Sequence, residues 1–263
     1  MYRFCSLFSG SSGNCLFVQS DTTKILVDCG ESAKKIVSAL SQIDININDI
    51  SAILITHEHI DHVKSLNTLS KKYNIPIFIN TETFEALTDQ NKKINKELIN
   101  FFDFKNNFFI GDLEIHPFQT PHDAANPCGF NIFYNNKKIS IATDLGHITP
   151  EIMTSLEYSK FILLESNYDL NTLKCSSYPY LLKERISGPY GHLSNSMAGQ
   201  TISHLIDFGL ETAMLGHLSK ENNFPELAYK TVMEEIINNN KADKNINLSV
   251  ASRFSPSAII DIN

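Results

Sequence analysis

Residues 52–62 read AILITHEHIDH, Ala52 to His62. The first four are fully apolar, the pattern of a strand buried on both faces. The next six, His57 to His62, have the form H-x-H-x-D-H. In an extended turn alternate side chains share a side, so His57 and His59 point the same way and can share one metal. Asp61 and His62 open the helix marked by Val63, Leu66, Leu69 and Tyr73 and aim at a neighbouring point. Two imidazoles with a third make a zinc-like site that keeps a position open for water, and a carboxylate with imidazoles makes a second. Two metals close together can share a bridging hydroxide, a nucleophile at neutral pH. The competing reading, a surface turn with exposed histidines, does not suit a turn fed by so apolar a strand.

Outward from this stretch, strands and helices alternate. Strands are expected at 2–8, 15–20, 24–28, 75–79, 161–164, 212–215 and 246–251. Two more lie within 108–118, joined at Gly111-Asp112, and a hairpin pairs 130–134 with 138–142 around Asn135-Asn136. Helices are expected at 32–41, 82–88, 150–156, 195–207 and 225–238. The Asn/Lys-rich stretch 89–107 reads as a mobile excursion. Alternation with hairpins favours a mixed α/β architecture over a purely parallel winding. Without a linker, repeat or low-complexity segment, the chain reads as a single domain, 1–263. Asp28, His57, Asp144, Glu165 and His217 each stand at a strand end, where α/β folds gather ligand groups.

The chain has 263 residues, 42% hydrophobic and 19% charged, which excludes disorder as the dominant state. Its net charge of −7 gives no global field for polyanions, so a nucleic acid would need a local patch. The N-terminal stretch lacks the continuous apolar core of a signal peptide, and no apolar run spans a membrane. Five cysteines without a C-x-x-C fit reduced thiols in a cytoplasmic protein.

Around these motifs the chain resembles the metallo-β-lactamase fold superfamily over nearly its whole length. Asp28 matches the first motif, HEHIDH the second, His122 in TPHDAANPCGF the third and Asp144 in IATDLGH the fourth. The resemblance implies an α/β fold, the αββα four-layer sandwich with two mixed sheets between helices. It also implies two divalent metal ions. One would be held by His57, His59 and His122. The other would be held by Asp61, His62 and a late histidine, His217 in LGHLSKENN, with Asp144 bridging. Asp28 is expected to orient a histidine rather than bind metal. The segments SLFSGSSGNC, LLESNYD, ERISGPYGHLSN and LGHLSKENN resemble the YycJ/WalJ (VicX) subfamily, whose members are metal-dependent nucleases acting on DNA from the 5′ end. Two departures stand out. Tyr168 occupies a position where the subfamily suggests His. The 26 residues 166–191 leave no room for a large inserted cap domain, so the site should be open.

Hydrolysis by a metal hydroxide still needs an acid for the leaving oxygen. His192 in GHLSN, held by Glu165, is the candidate, because a neighbouring carboxylate favours the imidazolium. Asp61, His192 and Glu165 are thus the expected catalytic residues. For substrate phosphate the candidates are Ser11, Ser12 and Asn14, then Ser194, Asn195 and Lys220. SGSSGN reads equally as an anion nest or a tight turn. Ser194-Asn195 reads as a helix cap, a phosphate contact, or both. His116 and His204 read as structural, and His147 as structural or facing the site. A His-rich set argues for zinc or manganese over magnesium. The expectation is a 5′-to-3′ exonuclease acting on DNA in preference to RNA, without a membrane partner. Its rivals are a thioesterase or lactonase on this fold and a non-enzymatic, metal-stabilised regulatory protein of envelope signalling.

Overall fold

A computed structural model describes residues 1–88, 93–241 and 244–262. The apolar runs of the N-terminal half become β1 (Arg3–Phe8), β2 (Cys15–Gln19), β3 (Lys24–Val27), β4 (Ala52–Leu54), β5 (Ile77–Ile79) and β6 (Ile99–Phe101). Those of the second half become β7 (Phe108–Ile110), β8 (Leu113–Gln119), β9 (Cys128–Tyr134), β10 (Lys137–Ala142), β11 (Phe161–Glu165), β12 (Thr212–Gly216), β13 (Asn247–Val250) and β14 (Ile260–Asp261). They form two seven-stranded sheets, ordered β14-β1-β2-β3-β4-β5-β6 and β13-β12-β11-β10-β9-β8-β7. Both are mixed: β1–β2–β3 pair antiparallel and β3–β4–β5–β6 parallel, while β10–β11–β12–β13 run parallel beside antiparallel β7–β8–β9–β10.

The four layers follow from the two-residue period of a strand. Ile25 and Val27 of β3 face the other sheet, whose Phe161 and Leu163 of β11 meet them in the central core. Leu26, between them, faces outward onto Ile36 and Leu40 of α1 (Ala33–Gln42) and Leu66 and Leu69 of α3 (Leu66–Tyr73). Ile162 and Leu164 face outward too, onto α5 (Pro150–Leu156), α8 (Asn195–Asp207) and α9 (Pro225–Asn238). Each sheet is thus apolar on both faces, as continuous rather than alternating runs such as FILL require. The αββα sandwich is the observed architecture.

The expected hairpin turns at Asn135 and Asn136, both with positive φ (49° and 61°), the type I′ geometry. The expected helix after HEHIDH is broken in two. It forms α2 (Ile60–Val63) and then α3, because Cys29 intervenes: its N–H donates to the His62 carbonyl (2.8 Å) and its carbonyl accepts from Ser65 N–H (3.1 Å). The stretch 89–107 departs from its reading as an excursion. Residues 89–92 lie outside the described residues, but Ile99–Phe101 pairs in parallel with β5. Ile94 is buried and Ile99 packs against the same core, which is what draws this segment onto the sheet edge. Helices α4 (Thr81–Ala86), α6 (Leu170–Cys175) and α7 (Tyr180–Ser187) complete the set described here. The last two form the connection from β11 to α8. Among the described residues no helix is long and apolar enough to cross a membrane.

Candidate metal centre

Seven side chains converge where the strands of both sheets end. β4 leads into the segment that carries His57, and α2 carries Asp61 and His62. The loop after β8 supplies His122. Asp144 follows β10, Glu165 closes β11 and His217 follows β12. Asp28, Asp144 and His217 adopt left-handed backbone (φ 61°, 57° and 53°), which turns the chain off the sheet just where the side chain is needed. Such residues cost about 1–3 kcal/mol each and persist where the surroundings hold them.

The backbone approach is close. A Cβ on Gly30 would lie 1.5 Å from the Asp61 carbonyl oxygen, so only glycine allows this contact. That carbonyl accepts from Asn14 N–H (2.8 Å), and Gly30 N–H donates to the Asn14 carbonyl (2.8 Å). Three segments remote in sequence thereby fix α2 and its ligands.

The histidines present one nitrogen each. His122 Nδ1–H donates to the Gly191 carbonyl (3.0 Å). His62 Nδ1–H donates to Asp28 Oδ2 (2.7 Å), and His217 Nδ1–H to Glu165 Oε1 (2.9 Å). Thr56 gives its hydroxyl proton to Asp28 Oδ2 (2.8 Å), so its oxygen accepts from His57 Nδ1–H (3.0 Å). In its neutral form each of these rings keeps a lone pair on Nε2. The Nε2 atoms of His57, His122 and His217, and Asp144 Oδ2, are buried without a hydrogen-bond partner. Buried polar atoms without partners are rare in native proteins, and a cation supplies the missing partner. The residues therefore fit metal.

They fall into overlapping groups whose ligand atoms lie within 4.8 Å of one another: His57, His59 and His122; Asp61, His62 and His217; His57, His62 and Asp144; and Asp144 with Glu165, His192 and His217. Asp144 sits between: Oδ2 is 3.2 Å from His62 Nε2, and Oδ1 is 3.8 Å from His122 Nε2. Asp61 Oδ2 lies 3.6 Å from His62 Nε2 and 3.5 Å from His217 Nε2.

The two ends of the cluster differ in charge. Burial pushes His57 and His122 down, leaving them neutral. Burial also opposes charge on His62 and His217. There, however, Asp144 outweighs it, helped by Asp28 and Asp61 at His62 and by Asp61 and Glu165 at His217; both are raised, His217 to about 10. Without a cation, the position built by Asp61, His62 and His217 therefore carries protons that metal must displace, whereas the other does not. We expect the affinity of one metal equivalent to fall about tenfold per pH unit per displaced proton as the solution is acidified below neutrality. The other should change little until its own imidazoles begin to protonate. Calorimetric titration in buffers of different ionisation enthalpy reads this directly, and equal proton release by both equivalents would contradict it.

Glu165 is fully buried. Its Oε1 accepts from both His192 Nδ1 (2.7 Å) and His217 Nδ1 (2.9 Å), and its Oε2 accepts from the N–H groups of Leu145 (3.0 Å) and Leu193 (3.2 Å). His192 is partly exposed. Burial works against its charge, but Glu165 more than offsets that and raises its pKa.

The residues expected at substrate phosphate divide. Ser11 and Ser12 are exposed, and Lys220 is exposed beside Glu221 (3.9 Å). Asn14 is buried instead: its Oδ1 accepts from Gly10 N–H (2.9 Å) and its Nδ2 faces His62 Nε2 (3.0 Å), so it braces the loop against the cluster. Asn195 is buried too, its side chain bonded to Ser166 and Asn223. Ser194 caps α8, its Oγ accepting from Met197 N–H (3.3 Å). Tyr168 is buried, with its backbone bridged to Ser194. His116 and His204 bond Glu114 and Glu157, and His147 bonds the Pro189 carbonyl; none of the three is among the gathered groups. Two participants went unread in the sequence. Thr56, which anchors His57 and Asp28, was legible as the hydroxyl inside ITHEH. Arg253, which reaches Ser12 Oγ (3.3 Å) and the Leu218 carbonyl, carries no local motif.

Residues 9–217 match the family described as the metallo-beta-lactamase superfamily. The chain is 36% identical over 232 residues to exodeoxyribonuclease YycJ of Bacillus anthracis, covering 88% of each. It is 34% identical over 237 residues to exodeoxyribonuclease WalJ of Streptococcus pneumoniae, covering 89% of this chain and 88% of that one. Zn(2+)-bound PqqB from Methylobacterium extorquens superposes with a TM-score of 0.70 at 14% identity, over 97% of this chain and 99% of that one, a likeness of fold alone.

Proposed function

Because the chain belongs to the metallo-β-lactamase superfamily, we propose that it is a two-metal phosphodiesterase, a DNA exonuclease working from the 5′ end. The observation that carries this is the pair of ligand groups meeting at Asp144, with the His192–Glu165 pair beside it. His57, His59 and His122 would hold one cation, and Asp61, His62 and His217 the other, with Asp144 between. A His-rich set suits zinc or manganese. Bound cations supply Lewis acidity there, lowering the pKa of a water and offsetting charge on phosphate oxygens.

The chain's own residues do the rest. Asp28, Thr56, Gly191 and Glu165 fix the ring orientations, so no reorganisation is needed when substrate arrives. His192 is the proton donor. Its Nδ1–H stays on Glu165, so the proton that moves is the one on Nε2, which goes to the departing sugar oxygen and leaves a neutral ring. A deoxyribose alkoxide needs that proton far more than a thiolate does, which favours a phosphodiester over a thioester. Similarity to two exodeoxyribonucleases across nearly nine tenths of the chain supports DNA as substrate. The free cysteines, four of the five buried, suit a reducing cytoplasm.

The test is digestion of 5′- and 3′-labelled DNA and RNA with added Mn²⁺ or Zn²⁺, beside a thioester panel. DNA should shorten from the 5′ end, and His192→Ala should slow it by about 10²–10⁴-fold. Thioester cleavage without phosphodiester cleavage would sink the reading.

A further inference from the structure

Next to His217, lined by Leu218 and by Ser9, lies a cleft of about 450 Å³, within the roughly 300–1,000 Å³ of small-molecule sites. Two phenylalanines line it while largely open to solvent: Phe254 is 76% exposed and Phe224 52%. Isolated exposed aromatics are common, but these share one cavity with two cationic side chains, Arg253 and Lys220.

Arg253 is held in place. Its Nη2 donates to the Leu218 carbonyl and its Nη1 to Ser12 Oγ (3.3 Å). The guanidinium lies over Gly10, where a Cβ would come within 2.7 Å of Nη1 and where φ is +153°. Among the described residues no carboxylate pairs with it, in a chain whose net charge is −7. The cleft wall is also tied to the metal centre through the backbone. His217 N–H donates to Ser9 Oγ (2.8 Å), and Ser9 N–H donates to the Ser252 carbonyl (3.2 Å), so the cleft wall and the ligand share one hydrogen-bonded strip.

A fixed, unneutralised cation beside open phenyl faces is the chemistry that binds a nucleotide of a single strand: phosphate on the guanidinium, base on the ring. We propose that this cleft seats the nucleoside next to the scissile phosphate, its base stacked on Phe224 or Phe254 and its backbone charge met by Arg253. The inference rests on the nuclease reading and deepens it, because only an unpaired base has a face free to stack. It makes an unpaired terminal nucleotide, from a single strand or an opened duplex end, the one that the cleft seats.

The test uses the full chain loaded with Mn²⁺ and short single-stranded oligodeoxynucleotides, with or without the base on each of the two terminal nucleotides. For Phe224→Ala/Phe254→Ala, KM for the intact strand should rise about five- to a hundred-fold, the range that base–aromatic stacking supplies, with kcat little changed. Removing a base should cost the unsubstituted protein a similar factor and the double variant nothing further. Phe254→Ala alone, at the more exposed position, should show a part of the effect with an unchanged melting profile, and Phe254→Tyr should restore it. Unchanged KM, or losses that simply multiply when base and rings are both removed, would overturn the cleft assignment while leaving the nuclease intact. If the loaded protein cleaves neither DNA nor RNA, the nuclease reading fails and the cleft assignment falls with it.

Discussion

Asp144→Ala should leave a folded protein that holds less metal and has lost phosphodiester hydrolysis to background. The aspartate is buried, sits 3.2 Å from His62 Nε2 and 3.3 Å from His217 Nδ1, and reaches toward His122 at 3.8 Å. No nearby carboxylate can replace it: Asp61 and Asp28 are committed to the His62 side, and Glu165 already accepts from two imidazoles. Burial disfavours its ionised form, yet His217 and His62 outweigh that and hold its carboxyl well below the usual range, so it is ionised at any working pH. Its loss removes the negative charge shared by both positions, and bringing two cations close together without it is prohibitive. Metal content by mass spectrometry, with turnover on the same sample, checks the claim; a variant that kept two equivalents and full turnover would refute it.

The second large effect concerns Glu165, because one carboxylate serves two histidines. Glu165→Gln keeps the shape but removes the charge, and its amide nitrogen can no longer accept. If the retained carbonyl takes the Oε1 position, the new N–H₂ faces the Leu145 and Leu193 N–H groups, donor against donor. If the amide turns over, His192 and His217 lose their acceptor. Either way the metal ligand and the proton donor are disturbed together. Metal affinity should fall about 10–100-fold, as for other residues that orient a ligand. The rate at saturating metal should fall a further 10²–10⁴-fold or so as His192 loses its counter-charge. The rate loss should be larger on substrates with poor leaving groups than on nitrophenyl diesters, which depart without a proton. A uniform loss across leaving groups would assign Glu165 to the metal alone.

How much of this was legible depends on distance along the chain. HEHIDH is contiguous, and its alternation in an extended turn is a local property. Asp144, Glu165 and His217 were visible because each polar residue follows an apolar strand, so they had to lie at the same edge. The break between α2 and α3 was not legible, since it comes from Cys29 bonding the His62 carbonyl, a contact set by the tertiary fold. For the same reason Asn14 and Asn195 read as phosphate contacts, although each is buried and its amide is used to brace neighbouring segments. Helices α6 and α7 escaped notice because they bury little. Leu173 is the buried residue of the first, and the second has none.

The seven converging side chains are drawn from both halves of the chain, His57 in one sheet's half and His217 in the other's. A ribosome therefore releases the last of them only after some four fifths of the chain has emerged. A product truncated just ahead of that point keeps Asp61, His62 and Asp144 but lacks His217, so the second ligand group stays incomplete. The arrangement thus ties completion of the paired site to synthesis past His217.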